Sequence, residues 1–474
     1  MTWLSEVAFG VGLSLVATAC GSSVAVADTD GGTSTGGPST SATMTSPTDP
    51  SSSGGSSGSS SGSTTAESTT GSSSSESSSG TTGGLTEPGL VQAIPPVRVR
   101  EVCESLGENC ILSTACSGDY EGAMTDFTDQ LQVAVEASGD EQAIDILFVV
   151  DNSSGMGPMQ LMLAREFPGL LERIQGLQGA GGGALDPSVN IMATTSDFGN
   201  PLCTAFQSHE PARGAPIATG CNSRIDYFTG LGVVPEVFSE ACTEVCPVDV
   251  EPTDPFIHFD AAGDNVPDVE PYDVDGDGTD DPPVARALAC IGPQGIDGCG
   301  YESQLENMLQ ALNPAADWNT GNTPFLRPDA ALAIVLLTNE ADCSIQNYDI
   351  MTDAAYQEMD PGSGTPAASS ALCWNAGVVC DSPGLGVYSN CMSVDNGLQP
   401  TSRYINYLVD ELSVNQGKEV LMLGIVGVPE GGADELVIRD WREEDILPEE
   451  AMAGVTAEDK QFNFGIGPGC GGAE

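Results

Sequence analysis

The sequence predicts an α/β fold: a Rossmann-like, doubly wound, mainly parallel sheet with disulfide-rich loop insertions. Three observations carry that prediction. Short, nearly unbroken apolar runs stand at 143–150, 189–195, 331–338 and 419–428, the pattern of strands buried on both faces. Helical periodicity separates them, as where Leu305, Met308, Leu309 and Leu312 recur at i, i+3, i+4 and i+7. The cysteines lie mostly in polar stretches between these runs.

Residues 7–19 form a short apolar run ending Val16-Ala17-Thr18-Ala19-Cys20. The run is too short to span a membrane. It resembles a lipoprotein signal peptide, cleaved before a cysteine that becomes diacylated, although Leu is usual where Ala17 stands. The resemblance implies lipidation at Cys20 and an exported chain in the cell envelope, as an outer-membrane lipoprotein or at the cell surface. Residues 21–90 are Ser-, Gly- and Thr-rich and too polar to bury a core, so they read as a flexible tether. Residues 91–140 carry Cys103, Cys110 and Cys116 and read as a stapled N-terminal extension. The α/β domain is expected over 141–474, with insertions at about 198–300 and 343–400.

The formal charge of −55 comes from 68 acidic residues against 13 basic ones, all at or after Arg98. Such a surface repels nucleic acid and anionic lipid and attracts divalent cations. Membrane contact is therefore expected through the lipid anchor alone. With Cys20 lipidated, 14 of the 15 cysteines remain, an even set that implies up to seven disulfides in an oxidising compartment.

The first strand, Ala143–Val150, runs into Asp151-Asn152-Ser153-Ser154-Gly155-Met156. Asp151 falls at the carboxyl end of a parallel strand, where open α/β sheets collect ligands. Carboxylate and hydroxyl oxygens on one loop suit Mg²⁺. Asp is also a preferred helix N-cap, a plainer reading of the same residue. A helix follows from Pro158, which Pro168 should kink or split. The strand at 189–195 delivers Asp197, which either approaches the metal loop or closes a turn.

This junction resembles the first metal-site loop of the von Willebrand factor A-type (VWA) domain, Asp-x-Ser-x-Ser. Asp151 and Ser153 match it, and Gly155 stands where the second serine belongs. The resemblance covers roughly residues 140–430. More narrowly, the chain resembles secreted bacterial lipoproteins that carry such a domain behind a Ser/Gly-rich tether. The resemblance implies a cation held directly by Asp151 and Ser153, with an open position that a partner's carboxylate completes. It places a threonine in the loop 298–303, where Glu302 or Ser303 stands and where helix capping explains both equally. It places an aspartate after Thr338, where Asn339 keeps an oxygen and loses the charge.

Residues 273–281, Asp-Val-Asp-Gly-Asp-Gly-Thr-Asp-Asp, hold a second pattern. Asp273, Asp275, Asp277 and Asp281 fall at positions 1, 3, 5 and 9, and Thr279 would offer its backbone carbonyl. That alternation wraps a calcium ion, and it resembles EF-hand-like and thrombospondin type 3 loops. The EF-hand pattern needs Glu at position 12, where Val284 stands, and no flanking helices are evident. Asp264 or Asp268 could add oxygens; a solvated acidic loop is the alternative.

The expected function is divalent-cation-dependent binding of a surface or extracellular protein through a degenerate VWA-like site. The alternative is a calcium-stabilised, disulfide-stapled structural lipoprotein without an active adhesion site. Enzyme activity is not expected: no Gly-x-Ser-x-Gly or phosphate-cradling loop occurs, and His209 and His258 are the only histidines.

Overall fold

A computed structural model describes residues 91–138, 143–179, 182–203, 209–230, 237–369, 371–384, 387–429, 436–442 and 456–472. The signal-like run, Cys20 and the tether lie outside the described residues. The strands are β1 (Val91–Ala93), β2 (Cys110–Thr114), β3 (Ala143–Val150), β4 (Ser188–Thr195), β5 (Ile257–Asp260), β6 (Gly263–Asp264), β7 (Ala331–Leu337), β8 (Glu358–Met359), β9 (Pro366–Ala367), β10 (Val378–Gly384), β11 (Val387–Ser393), β12 (Val420–Val426) and β13 (Cys470–Gly472). The helices are α1 (Val97–Glu104), α2 (Glu121–Ser138), α3 (Gly157–Arg165), α4 (Phe167–Gln175), α5 (Glu240–Thr243), α6 (Pro283–Ile291), α7 (Gln304–Ala311), α8 (Ala371–Gly377), α9 (Ser402–Ile405) and α10 (Ala457–Phe464).

Seven strands form the central sheet in the order β2-β12-β7-β3-β4-β5-β6, with β2, β12, β7, β3 and β4 parallel and β5 and β6 antiparallel. The apolar runs divide by parity because successive strand side chains point to opposite faces. Ile144, Ile146, Phe148 and Val150 join one core with α2, α3, α4 and α6. Leu147 and Val149 join another with α1, α7 and α9. A sheet covered on both faces explains why these strands read as unbroken apolar runs. Pro168 does split the first helix pair: α3 ends at Arg165, and α4 begins with Pro168 in its first turn, where a missing N–H costs nothing. After α9 the chain winds wider, as a π-helix over Asn406–Asn415, burying Leu408 and Leu412.

The segment 91–140 is more than an extension: β2 is an edge strand of the sheet and α2 covers one face. All 14 cysteines from Cys103 onward pair, as 103–110, 116–470, 203–299, 221–242, 246–290, 343–373 and 380–391. At the amino end of β3, buried Asp145 accepts the backbone amide and Nε of Arg327, both at 2.7 Å. Burial pushes the Asp145 carboxyl up to about 6 against the pull of that guanidinium.

Candidate metal centre

Register builds the crevice. Val150 lies opposite Thr195 on one side and Leu337 on the other, so Asp151, Ser196 and Thr338 leave their strands side by side. The chain departs in opposite directions from β3 and β7, which makes their carboxyl ends the switch point where such sheets bind ligands. Asp151 is fully buried and caps no helix. Its Oδ2 accepts the Thr338 hydroxyl at 2.6 Å; its Oδ1 accepts the Ser153 amide at 2.8 Å and the Ser196 hydroxyl at 3.3 Å. The loop is buckled from below by Gln160, whose Nε2 donates to the carbonyls of Asp151 and Gly295 at 2.7 and 2.8 Å.

Ser154 turns away, and its hydroxyl donates to the Ile296 carbonyl at 3.2 Å. Gly155 has φ +92°, a conformation that a serine would hold only under strain. The missing motif serine is thus tied to the path of the backbone. Asp197 closes a turn: its Oδ1 accepts the Gly199 amide at 2.9 Å. The side chain that reaches Asp151 from this strand is Ser196, a residue whose role no sequence pattern marked.

Glu302 approaches from the loop before α7. Neither it nor Ser303 caps that helix. The Leu305 and Glu306 amides donate instead to Asp342 Oδ1 and Ser344 Oγ, both at 3.1 Å, while Ser303 Oγ donates to the Cys343 carbonyl. Burial holds the Glu302 carboxyl well above the usual range, and the charges of Asp151 and Glu340 push it further. Asp151 is also raised by burial, which outweighs its hydrogen bonds from Thr338, Ser153 and Ser196. The Ser153 hydroxyl lies against both carboxylates without reaching hydrogen-bond geometry to either.

Ser153 Oγ, Glu302 Oε1, Asn339 Oδ1 and both amide atoms of Asn152 are buried with no hydrogen-bond partner among the described residues. Buried polar atoms are nearly always satisfied, so this concentration calls for a ligand. The unsatisfied oxygens beside crowded carboxylates fit a hard divalent cation, which would supply the missing positive charge. Asp342 does not add to this set, because Arg98 Nε pairs with its Oδ2 at 3.0 Å.

The second acidic loop is built differently. Asp273, Asp275 and Asp281 each present a carboxylate oxygen within 4.8 Å of the others. Asp277 stands outside that group, and its Oδ1 accepts the Thr279 amide at 2.6 Å. Asp273 accepts the Gly276 and Gly278 amides, both at 2.7 Å, so the loop folds on its own hydrogen bonds. Burial and neighbouring carboxylates raise Asp275 and Asp281. A helix does follow the loop, contrary to the sequence reading: α6 starts at Pro283 and buries Val284. Asp275 also borders a cavity of about 480 Å³, opposite Asp119, Glu121, Glu166 and Arg173.

Compared with known proteins, the chain matches no family model, no curated protein and no solved structure. The site therefore has to be read from its own chemistry. Cys221, Cys246 and Asp249 also converge, but both cysteines are spent in disulfides and offer no thiolate. His258 Nδ1 bonds Asn190 Oδ1 at 2.8 Å, and His209 stacks on Tyr227. No helix among the described residues is long and apolar enough to cross a membrane.

Proposed function

We propose that this chain is a VWA-type binding module of an exported, lipid-anchored envelope protein. Its crevice between β3 and β7 takes a divalent cation, Mg²⁺ by its oxygen donors, and engages a surface or extracellular protein through it. One observation carries the reading: buried carboxylates of Asp151, Glu302 and Glu340 lie near one another with the Ser153 hydroxyl against the first two, and Asn152 and Asn339, next in sequence to Asp151 and Thr338, carry buried unsatisfied oxygens. Asp151 and Ser153 are the direct ligands in this reading. Glu302 and Asn339 take the places of the threonine and aspartate that the VWA resemblance calls for. The cation would neutralise the crowded carboxylates and leave a coordination position for an acidic group of the partner.

The test is a calorimetric titration of the oxidised, metal-stripped full chain with Mg²⁺ and Ca²⁺, beside Asp151→Ala. Mg²⁺ binding lost in the variant supports the reading; binding unchanged by the variant, or none in either protein, sinks it. The export half of the proposal rests on Cys20 and the paired cysteines. Radiolabelled fatty acid that still labels a Cys20→Ser variant would remove it.

A second reading has its own support. The convergence of Asp273, Asp275 and Asp281 favours calcium as a structural staple of the insertion. There, Ca²⁺ raises the melting temperature whether or not Asp151 is present, and Asp275→Asn with Asp281→Asn abolishes the rise.

A further inference from the structure

The segment entering α1 touches the crevice loop at both ends. Ile94 donates its amide to the Asn339 carbonyl at 2.7 Å. Arg98 is 2% exposed, and its Nε meets Asp342 Oδ2 at 3.0 Å. The same guanidinium donates through Nη1 to the Val394 carbonyl and through Nη2 to that of Gln399. Asp342 is itself shared: its Oδ1 accepts the Ser344 hydroxyl at 2.7 Å and the Leu305 amide at 3.1 Å, in the first turn of α7. Arg98 therefore bears on the loop after β7 and, through Asp342, on the helix that Glu302 precedes.

The approach is close enough to demand glycine. A Cβ on Gly427 would lie 2.2 Å from the Ile94 carbonyl oxygen, and the Gly469 amide donates to the Ala93 carbonyl at 2.8 Å. Upstream, β1 pairs with β13. The arm is thus fixed just before it reaches the crevice.

We propose that residues 94–98 form a strap that sets the spacing between the 338–342 loop and α7, with Arg98 as its positioning residue, so that cation affinity depends on the N-terminal arm. The inference rests on the cation-binding reading of the crevice. Arg98 touches none of the proposed ligands; it acts through Asp342. Without the guanidinium, Asp342 is a buried unpaired charge, a strongly destabilising state that a shift of its carboxylate toward solvent relieves. That movement draws the loop and the start of α7 apart.

The experiment measures Mg²⁺ affinity and amide hydrogen exchange in the full chain and in Arg98→Gln, Arg98→Lys and the double variant Arg98→Gln/Asp342→Asn. The double variant leaves no buried charge and keeps the test open if the single one fails to fold. Expected are Mg²⁺ binding about tenfold weaker in Arg98→Gln, a smaller loss in the double variant, partial recovery with Lys, and faster exchange at 339–342 without metal. Linkage is reciprocal, so saturating Mg²⁺ should also slow exchange at the Ile94 amide of the unaltered protein. Folded Gln variants with unchanged affinity and unchanged exchange at 339–342 overturn the strap. Absence of Mg²⁺ binding in the unaltered chain overturns the cation reading instead, and exchange at 339–342, read without metal, then decides the strap by itself.

Discussion

The chain carries two clusters of acidic oxygens, and they solve opposite problems. Around Asp151 the carboxylates are buried, drawn from two strand ends and a helix approach, and several polar atoms are unsatisfied. At 273–281 the carboxylates are more exposed, come from one short loop, and largely satisfy one another's backbone. Sequence spacing advertises the second cluster far better than the first. The physical demand for a cation is stronger in the first, because charge repulsion in a low dielectric cannot be relieved by water.

The sharpest way to break this comparison is Asp151→Asn. The amide oxygen can keep the Ser153 and Ser196 donors of Oδ1, but the NH2 group then replaces the acceptor that Thr338 uses at Oδ2. With the charge also removed, Mg²⁺ affinity should fall about a hundredfold, while relief of a buried charge offsets the lost hydrogen bond in the metal-free melting temperature. A variant that binds Mg²⁺ normally would strip the crevice of its proposed role.

Next comes the calcium loop. If it binds Ca²⁺, stability should rise by about 2.7 kcal/mol at a hundredfold excess over Kd, and Asp275→Asn with Asp281→Asn should abolish that gain. Without calcium the same pair should change stability by no more than about 0.5 kcal/mol, as expected of surface positions. A large metal-free loss would mean that the carboxylates brace the loop unaided.

The crowding in the crevice also ties stability to pH. Glu302 has its folded pKa raised, so it keeps a proton that the unfolded chain has already lost. Its stabilising contribution is full below the unfolded carboxyl range and is lost as pH rises through the folded pKa. Metal-free stability should therefore decline with rising pH above that range. Asp145, raised to about 6, adds to the same slope between its ordinary value and that pH. Glu302→Gln should flatten the curve, and Mg²⁺ binding at a pH where Glu302 still holds its proton should release that proton, measurable as a buffer-dependent binding enthalpy. A flat profile in the unaltered protein would contradict this.

The smallest effect concerns Gly155. Gly155→Ser restores the motif's letter but must hold φ +92°, costing about 1–2 kcal/mol. Mg²⁺ affinity should not improve; an improvement would show that the loop adapts to the serine.

Much of this was legible because it is local. The four apolar runs became β3, β4, β7 and β12, and Pro168 marked the break between α3 and α4. β2 was not legible: Cys110–Thr114 is short and only partly buried on an edge, so it lacks the apolar run of a central strand. Asp342 illustrates the other limit. Its partner Arg98 lies 244 positions away. Capping of α7 by Asp342 and Ser344 is equally non-local, and it leaves Glu302 for the crevice. Ser196 was hidden behind Asp197 because an aspartate after a strand draws attention that a serine does not.

Cys116 and Cys470 are joined although 354 positions separate them, and the other disulfides span at most 96. Nearly the whole folded region is thereby a closed covalent ring. A protease that nicks an exposed stretch such as 360–365 once releases no fragment: under non-reducing conditions the cut chain migrates as one species, and only a reductant separates the pieces. The first cut therefore need not cost the protein any part of its fold.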